Sequence, residues 1–334
     1  TGDVHLLLKM IGTTPVAQGI GNYQLTQADC DRLKVNPEST VSLYMGQRDK
    51  YDGNFELHLD PAASFQIKLR PKNFTPPTSG NIDVTNMTDV VAQITIRAAL
   101  EAGHTDLKLT GELSKIGIGG QWGTFANNTQ ITTCDLTEVT GWGTTPTLPE
   151  LAFKDCTKLQ EVTLPDGVQV IGEYAFIRCA ALTTVNLSQV TRIDEYAFWE
   201  CTSLTALTLD NVTTIDHDAF YGCTGLETLK IPKCTWFGNY IVTGCKALTR
   251  IEATAAGNFV DISDGRSSIE RTAVFHNRTA HSGDNAFDPA KCDLVLNADK
   301  KQDGNASPQV FSDNEWLVMP NGQVMQWNSI TFVQ

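Results

Sequence analysis

From residue 151 onward the apolar positions recur with a period of about 22 residues, far longer than the periods of a single amphipathic helix or strand. Cysteines at 156, 179, 201, 223 and 245 mark the register, at intervals of 23, 22, 22 and 22. Aligned on them, Ala152-Phe153-x-x-Cys156, Ala175-Phe176-x-x-Cys179, Ala197-Phe198-x-x-Cys201 and Ala219-Phe220-x-x-Cys223 are followed by the degenerate Ile241-Val242-x-x-Cys245. Between the cysteines Leu182, Val185, Leu187, Val190 and Ile193 return as Leu204, Leu207, Leu209, Val212 and Ile215, and again as Leu226, Leu229, Ile231, Cys234 and Phe237. The alternation in Thr184-Val185-Asn186-Leu187 predicts a short strand with one buried face. Pro165, Ser188, Asp210 and Pro232 then predict a turn. The Ala-Phe-x-x-Cys piece predicts a single helical turn, with Gly172, Asp194, Asp216 and Gly238 at its N-cap. One such unit cannot close a core alone, so its neighbours must stack as a solenoid.

Weaker copies extend the array. Phe125, Ile131, Leu136, Val139 and Trp142 fit one more unit, and Leu107, Leu109 and Ile116 fit half a unit before it. Asn86 to Gly103 predicts an N-terminal capping helix, capped by Thr88 or Asn86, with Val90, Val91, Ile94 and Ala98 on its apolar stripe. Alternating runs at Val4 to Met10, Val41 to Met45, Phe55 to Leu59 and Phe65 to Leu69, with a short helix from Thr26 to Lys34, predict a separate small domain. The expected organisation is a β-rich or α+β domain over 1–72, a linker over 73–85 and a solenoid over 86–256. A degenerate repeat and C-terminal cap would fill 257–334.

The pattern Leu-x-x-Val-x-Leu-Pro-x-x-Val-x-x-Ile-x-x-x-Ala-Phe-x-x-Cys resembles the BspA-like leucine-rich repeat family of bacterial surface proteins. The resemblance is specific from 151 to 245 and extends to about 104–300. It implies a right-handed α/β leucine-rich solenoid, an exported or surface-anchored chain, and an adhesin or binding role toward host proteins. Cys292 to Asn297 and Trp327 to Val333 resemble the closing segments of such proteins. Ile241-Val242 in place of Ala-Phe, and Ala253 in place of Leu, imply that the regular array ends there.

Charge narrows the partners. The chain of 334 residues carries 25 Lys and Arg against 38 Asp and Glu, a formal net charge of -13 that argues against nucleic acid or an anionic membrane. No apolar run approaches the 18 or so residues of a membrane helix. No export signal is visible: the chain opens Thr1-Gly2-Asp3 without Met or a basic segment ahead of an apolar core, as after removal of a targeting peptide or trimming of the end.

Catalytic and metal chemistry find little support, and no cofactor is expected. Five of the nine cysteines share one repeat position, the pattern of small buried hydrophobes and free thiols. Cys134 and Cys234 fall near repeat positions, whereas Cys30 and Cys292 have no assigned role. His276 and His281 lack helical zinc spacing, Asp284 and Asp288 lack the density of a calcium loop, and Gly117-Ile118-Gly119-Gly120 lacks the Lys-Ser/Thr of a phosphate cradle.

Two surfaces remain. The outward strand positions are Glu161 and Thr163, Thr184 and Asn186, Ala206 and Thr208, Thr228 and Lys230, and Arg250 and Glu252. This electrically mixed face suits a protein partner, and it equally suits a plain solvated strand face. The second surface is an aromatic flank. Tyr174, Tyr196 and Tyr240 share one repeat position, and Trp199 and Tyr221 another three residues on. These rings would either stack on a partner or sugar, or pack on one another and on Ile177. The sequence therefore points to a non-enzymatic protein-binding or adhesion protein. The alternatives are a glycan-binding accessory using the aromatic stripe and, less favoured, an enzyme with its site in the N-terminal domain.

Overall fold

The computed structural model describes residues 5–8, 21–24, 75–120, 123–257, 259–262, 274–275, 277, 286–301, 315–318 and 324–334. The chain divides into two compact units, Thr1–Thr75 and Pro76–Gln334. In the first, strands His5–Leu8 and Gly21–Gln24 pair antiparallel, with His5 opposite Gln24. The runs at Val41 to Met45, Phe55 to Leu59 and Phe65 to Leu69, the helix from Thr26 to Lys34, and Cys30 lie outside the described residues.

The second unit is the solenoid. Its front face begins at strand Asn81–Asp83, inside the expected linker, which pairs in parallel with Asp106–Glu112. Parallel neighbours need a crossover, and the helix Asp89–Glu101 supplies it. Thr88 is its N-cap, accepting the Val91 N–H at 3.4 Å. The buried stripe is Ala92, Ile96, Ala99 and Leu100. It is rotated from the expected one, of which Ala98 is buried and Val91 and Ile94 are half-buried. The reason is Arg97: buried, it donates to the Gly123 and Thr124 carbonyls at 3.1 and 3.3 Å and so turns its side of the helix inward.

Strands Thr133–Thr140, Glu161–Thr163 and Thr184–Val185 complete a five-stranded parallel sheet. A second five-stranded parallel sheet follows, formed by Ala206–Thr208, Thr228–Lys230, Arg250–Ala253, Asp293–Asn297 and Ser329–Val333. Stacking thus continues past the point where the regular array was expected to end. Arg250 lies opposite Asp293, and Asp293 opposite Ser329. What stops there is the 22-residue spacing, because long insertions separate the last strands while the sheet keeps its register.

A six-stranded parallel back sheet runs through Thr147–Leu148, Val170–Ile171, Arg192–Ile193, Thr214–Ile215, Trp236–Phe237 and Val260–Asp261. The third side of each turn departs from the sequence reading. Ala-Phe-x-x-Cys is not a helical turn. It is a pair of tight turns in which alternate N–H groups bond within the repeat and to the next one. Ile177 N–H donates to Tyr174 O at 3.1 Å, whereas Tyr174, Phe176 and Arg178 donate to Glu195 O, Ala197 O and Trp199 O at 3.1, 2.8 and 2.7 Å. In a continuing helix each N–H bonds four residues back along its own segment, whereas here every second one crosses to the next repeat. The expected N-caps are corrected with it: Gly172, Asp194, Asp216 and Gly238 donate their N–H groups to Leu148, Ile171, Ile193 and Ile215, so they extend the back strands.

The core between these faces is a set of ladders. Phe125, Phe153, Phe176, Phe198 and Phe220 stack in sequence with centroids 5.2, 5.5, 5.2 and 5.8 Å apart. The cysteine ladder carries a polar function. Each Sγ donates to the phenylalanine carbonyl of the preceding turn, from Cys156 to Phe125 O at 3.0 Å through to Cys245 to Phe220 O at 3.2 Å. The same carbonyls of Phe153, Phe176, Phe198 and Phe220 also accept the N–H three residues on, so the thiol occupies a second lone pair within the core.

Truncating one rung tests whether these rings carry the fold. Phe198→Ala should lower the unfolding free energy by about 3–5 kcal/mol in denaturant titration, and a loss under about 1 kcal/mol would show that the ladder is not the core.

Candidate binding surfaces

The front face is built by alternation. Val162, Leu207, Leu229 and Ile251 point inward and are buried, leaving their neighbours outside. Register places Glu161 beside Thr184, Thr228 between Ala206 and Arg250, and Lys230 between Thr208 and Glu252. Glu161, Thr184, Asn186, Ala206, Thr208 and Arg250 are exposed, and Thr163, Thr228, Lys230 and Glu252 are half-buried. Arg250 pairs with Glu252 at 2.7 Å and Lys230 with Asp210 at 3.5 Å, solvent-accessible pairs that neutralise the face and add little stability.

Asn186 differs from its neighbours in this row. Its Oδ1 accepts the Leu164 N–H at 2.6 Å and its Nδ2 donates to Leu164 O at 2.9 Å. The side chain thus replaces a backbone rung, and the front face divides just beyond it, between Thr184–Val185 and Ala206–Thr208.

On the aromatic flank the tyrosine position is left-handed in every turn. Leu151, Tyr174, Tyr196, Asp218 and Tyr240 have φ of 59, 54, 55, 52 and 61°. Bulky residues avoid this region, so the alternating hydrogen bonds of the third side must impose it. Tyr174 and Tyr196 stack with centroids 4.9 Å apart and planes at 8°; Tyr196–Trp199 and Trp199–Tyr221 follow, each at 4.9 Å. Tyr174, Tyr196, Trp199, Tyr221 and Tyr240 are all half-buried. Trp199 Nε1 is buried without a hydrogen-bond partner. Asp218 takes the tyrosine position and is fully buried. Glu173 lies in the row just before the tyrosines, where burial first, and then Glu150, Glu195, Asp194 and Asp216, push its carboxyl above the usual range. Burial and the neighbouring Tyr196 likewise raise the Tyr174 phenol.

Nucleophile and metal readings gain nothing from the geometry. Eight cysteines are free and buried, namely 134, 156, 179, 201, 223, 234, 245 and 292. Burial raises every one of these thiols, those of Cys223 and Cys292 to about 12. Such thiols are poor nucleophiles. Among the described residues no group of three or more His, Cys, Asp or Glu could hold a metal ion. His276, His281 and Asp284 lie outside them. Asp288 caps a short turn by accepting the Ala290 N–H at 3.1 Å and pairs with Lys291 at 3.2 Å. Gly117, Gly119 and Gly120 have φ of 68, 103 and 72°, so their turns explain the Gly-rich run. Among the described residues no helix is long and apolar enough to cross a membrane.

Sequence reasoning overlooked Trp236, the one large apolar side chain among the described residues that is strongly exposed, at 45%. The signal was available, because Val170, Arg192, Thr214 and Trp236 share an outward repeat position and a tryptophan breaks its pattern.

Residues 124–249 match the BspA type leucine rich repeat region in six copies. No curated protein matches the chain significantly. Solved structures similar to it include a leucine rich repeat protein of T. pallidum, with 24% identity, 37% of this chain and 52% of that one covered, and a TM-score of 0.30. A leucine-rich repeat protein from Bacteroides ovatus matches at 24% identity over 52% of this chain and 36% of its own, with a TM-score of 0.34. A leucine rich cell surface protein from Faecalibacterium prausnitzii matches at 22% identity over 53% and 57%, with a TM-score of 0.32. The chain therefore spans roughly a third to just over half of the length of these structures.

The thiol ladder predicts a pH dependence. The folded-state thiols titrate above the ordinary value of 9.0, so unfolding releases protons at alkaline pH. Their contribution should be complete below about pH 9 and fall as pH rises through the folded-state values. Denaturant midpoints taken from pH 7 upward should decline less in Cys201→Ala than in the parent chain, and equal declines would show the thiols uninvolved.

Proposed function

Because residues 124–249 are a BspA type leucine rich repeat region, we propose that the chain is a non-enzymatic binding or adhesion protein that presents its front sheet to a protein partner at the bacterial surface. The observation that supports this most is the front face itself. Two five-stranded parallel sheets set exposed and half-buried Thr, Glu, Arg and Lys side chains in register, one strand apart, with Arg250 and Lys230 paired locally. Such a surface is rigid and nearly neutral, so binding costs little ordering entropy and long-range charge does not select the partner. A host extracellular protein is the partner class that the family resemblance implies.

The glycan reading of the aromatic flank has less support. Tyr174 and Tyr196 stack face to face, which occupies ring faces that a sugar would need. The flank serves better as a cover for the third side of the solenoid.

Capture of purified host matrix proteins by the immobilised full chain discriminates the surfaces. Thr184→Arg with Thr208→Arg should reduce capture by about tenfold or more at an unchanged thermal midpoint, whereas Tyr196→Ala with Trp199→Ala should lower the midpoint. Loss of capture by the aromatic pair at full stability, with the front-face pair still binding, would move the site to the flank.

A further inference from the structure

The outward side of the back sheet carries one row, bordered by a second that is half-buried at its aspartates and buried at its glycines. Val170, Arg192, Thr214, Trp236 and Val260 form the first, one strand apart at roughly 4.8 Å. Gly172, Asp194, Asp216 and Gly238, two residues further along each strand, continue the back strands as the second. Trp236 is the only large apolar side chain of the described residues to stand this far into solvent. Position 238 beside it can hold only glycine, because a Cβ there would meet the His217 nitrogen at 2.3 Å. Gly238 is buried there, because the Asp216–His217 backbone of the preceding turn packs directly against it beside the indole. The turns beside it carry polar groups held in place: Arg192 contacts Asp194 and also Asp216 at 3.3 Å, Asp216 Oδ1 accepts the His217 N–H at 2.8 Å, and His217 Nδ1 accepts the Asn239 N–H at 2.7 Å.

We propose that this patch is a binding site for a neutral oligosaccharide, with Trp236 as the stacking platform and Arg192, Asp194 and Asp216 as the hydroxyl-binding edge. The apolar area decides against a protein. One indole offers at most about 250 Å², whereas a stable protein interface needs about 800 Å² per partner around an apolar centre. A sugar ring needs one aromatic face for its C–H side. Its hydroxyls both donate and accept, which matches a guanidinium set between two carboxylates. Charge decides among sugars: two acids against one base disfavour an anionic glycan. A chain laid along the first row would set one ring on Trp236 and the next over Thr214, within reach of Asp216 and Arg192. This site lies on the sheet opposite the proposed protein-binding face, so either can fail without the other.

The test titrates the full chain separately with cellohexaose, maltohexaose, chitohexaose and oligogalacturonate, read by calorimetry and tryptophan emission. At least one neutral hexamer should bind and shift the emission, Trp236→Ala should weaken it about tenfold or more and abolish the shift, and Trp236→Phe should stay within about threefold. Asp216→Asn should weaken the same hexamer at an unchanged thermal midpoint. Absence of binding by all neutral hexamers, undiminished binding by Trp236→Ala, or tighter binding of oligogalacturonate than of any neutral hexamer would overturn the proposal.

Discussion

Apart from the break in the front face beyond Thr184–Val185, each turn of the solenoid lays its backbone against the next on three sides at the spacing of one strand, and does so with hydrogen bonds. Front strands, back strands and the paired tight turns each satisfy this with parallel rungs, for example Thr228 N–H to Thr205 O, Asp216 N–H to Ile193 O and Phe198 N–H to Ala219 O. A buried backbone group without a partner is costly, so no side can leave this register alone. The third side pays most, since it holds tyrosines, arginine and glutamate at positive φ to keep alternate donors pointing at the neighbouring turn.

That spacing governs the core. Side chains at one repeat position end up one strand apart, close enough for the phenylalanines to stack and for each thiol to reach the previous carbonyl. Alanine at this position would leave the second lone pair of the carbonyl unused. The cysteine ladder follows from this combination of small volume and weak donor. Every described thiol is buried, and burial raises it, which leaves it a poor nucleophile.

The same regularity shapes the surface. A residue type repeated at one position becomes a row, and rows of Thr on the front or Tyr on the flank are the default product of repetition. Breaks in a row are more informative. Asn186 ends a sheet, Asp218 replaces a tyrosine and Trp236 replaces a small or polar back-face residue, and only the last leaves an apolar ring in solvent.

The repeat, its register, the buried Leu, Val, Ile and Phe positions and the front strands followed from sequence alone, because side-chain volume and alternation act within a few residues of one another. The closing strands at Asp293–Asn297 and Ser329–Val333 fall in the segments singled out only through the family resemblance. The third side was not. A spacing of three fits a helical turn and a pair of tight turns equally, and the choice between them was made by hydrogen bonds to the next repeat, 22 residues away. The same holds for Asn186, whose amide reads as an outward surface group until Leu164 is placed beside it, and for Trp236, whose exposure follows from its place opposite Thr214 in the outward row of the back sheet. Sequence determined which residues share a row, and the tertiary structure decided which face of the turn that row occupies, because only contact between turns makes one local conformation cheaper than another.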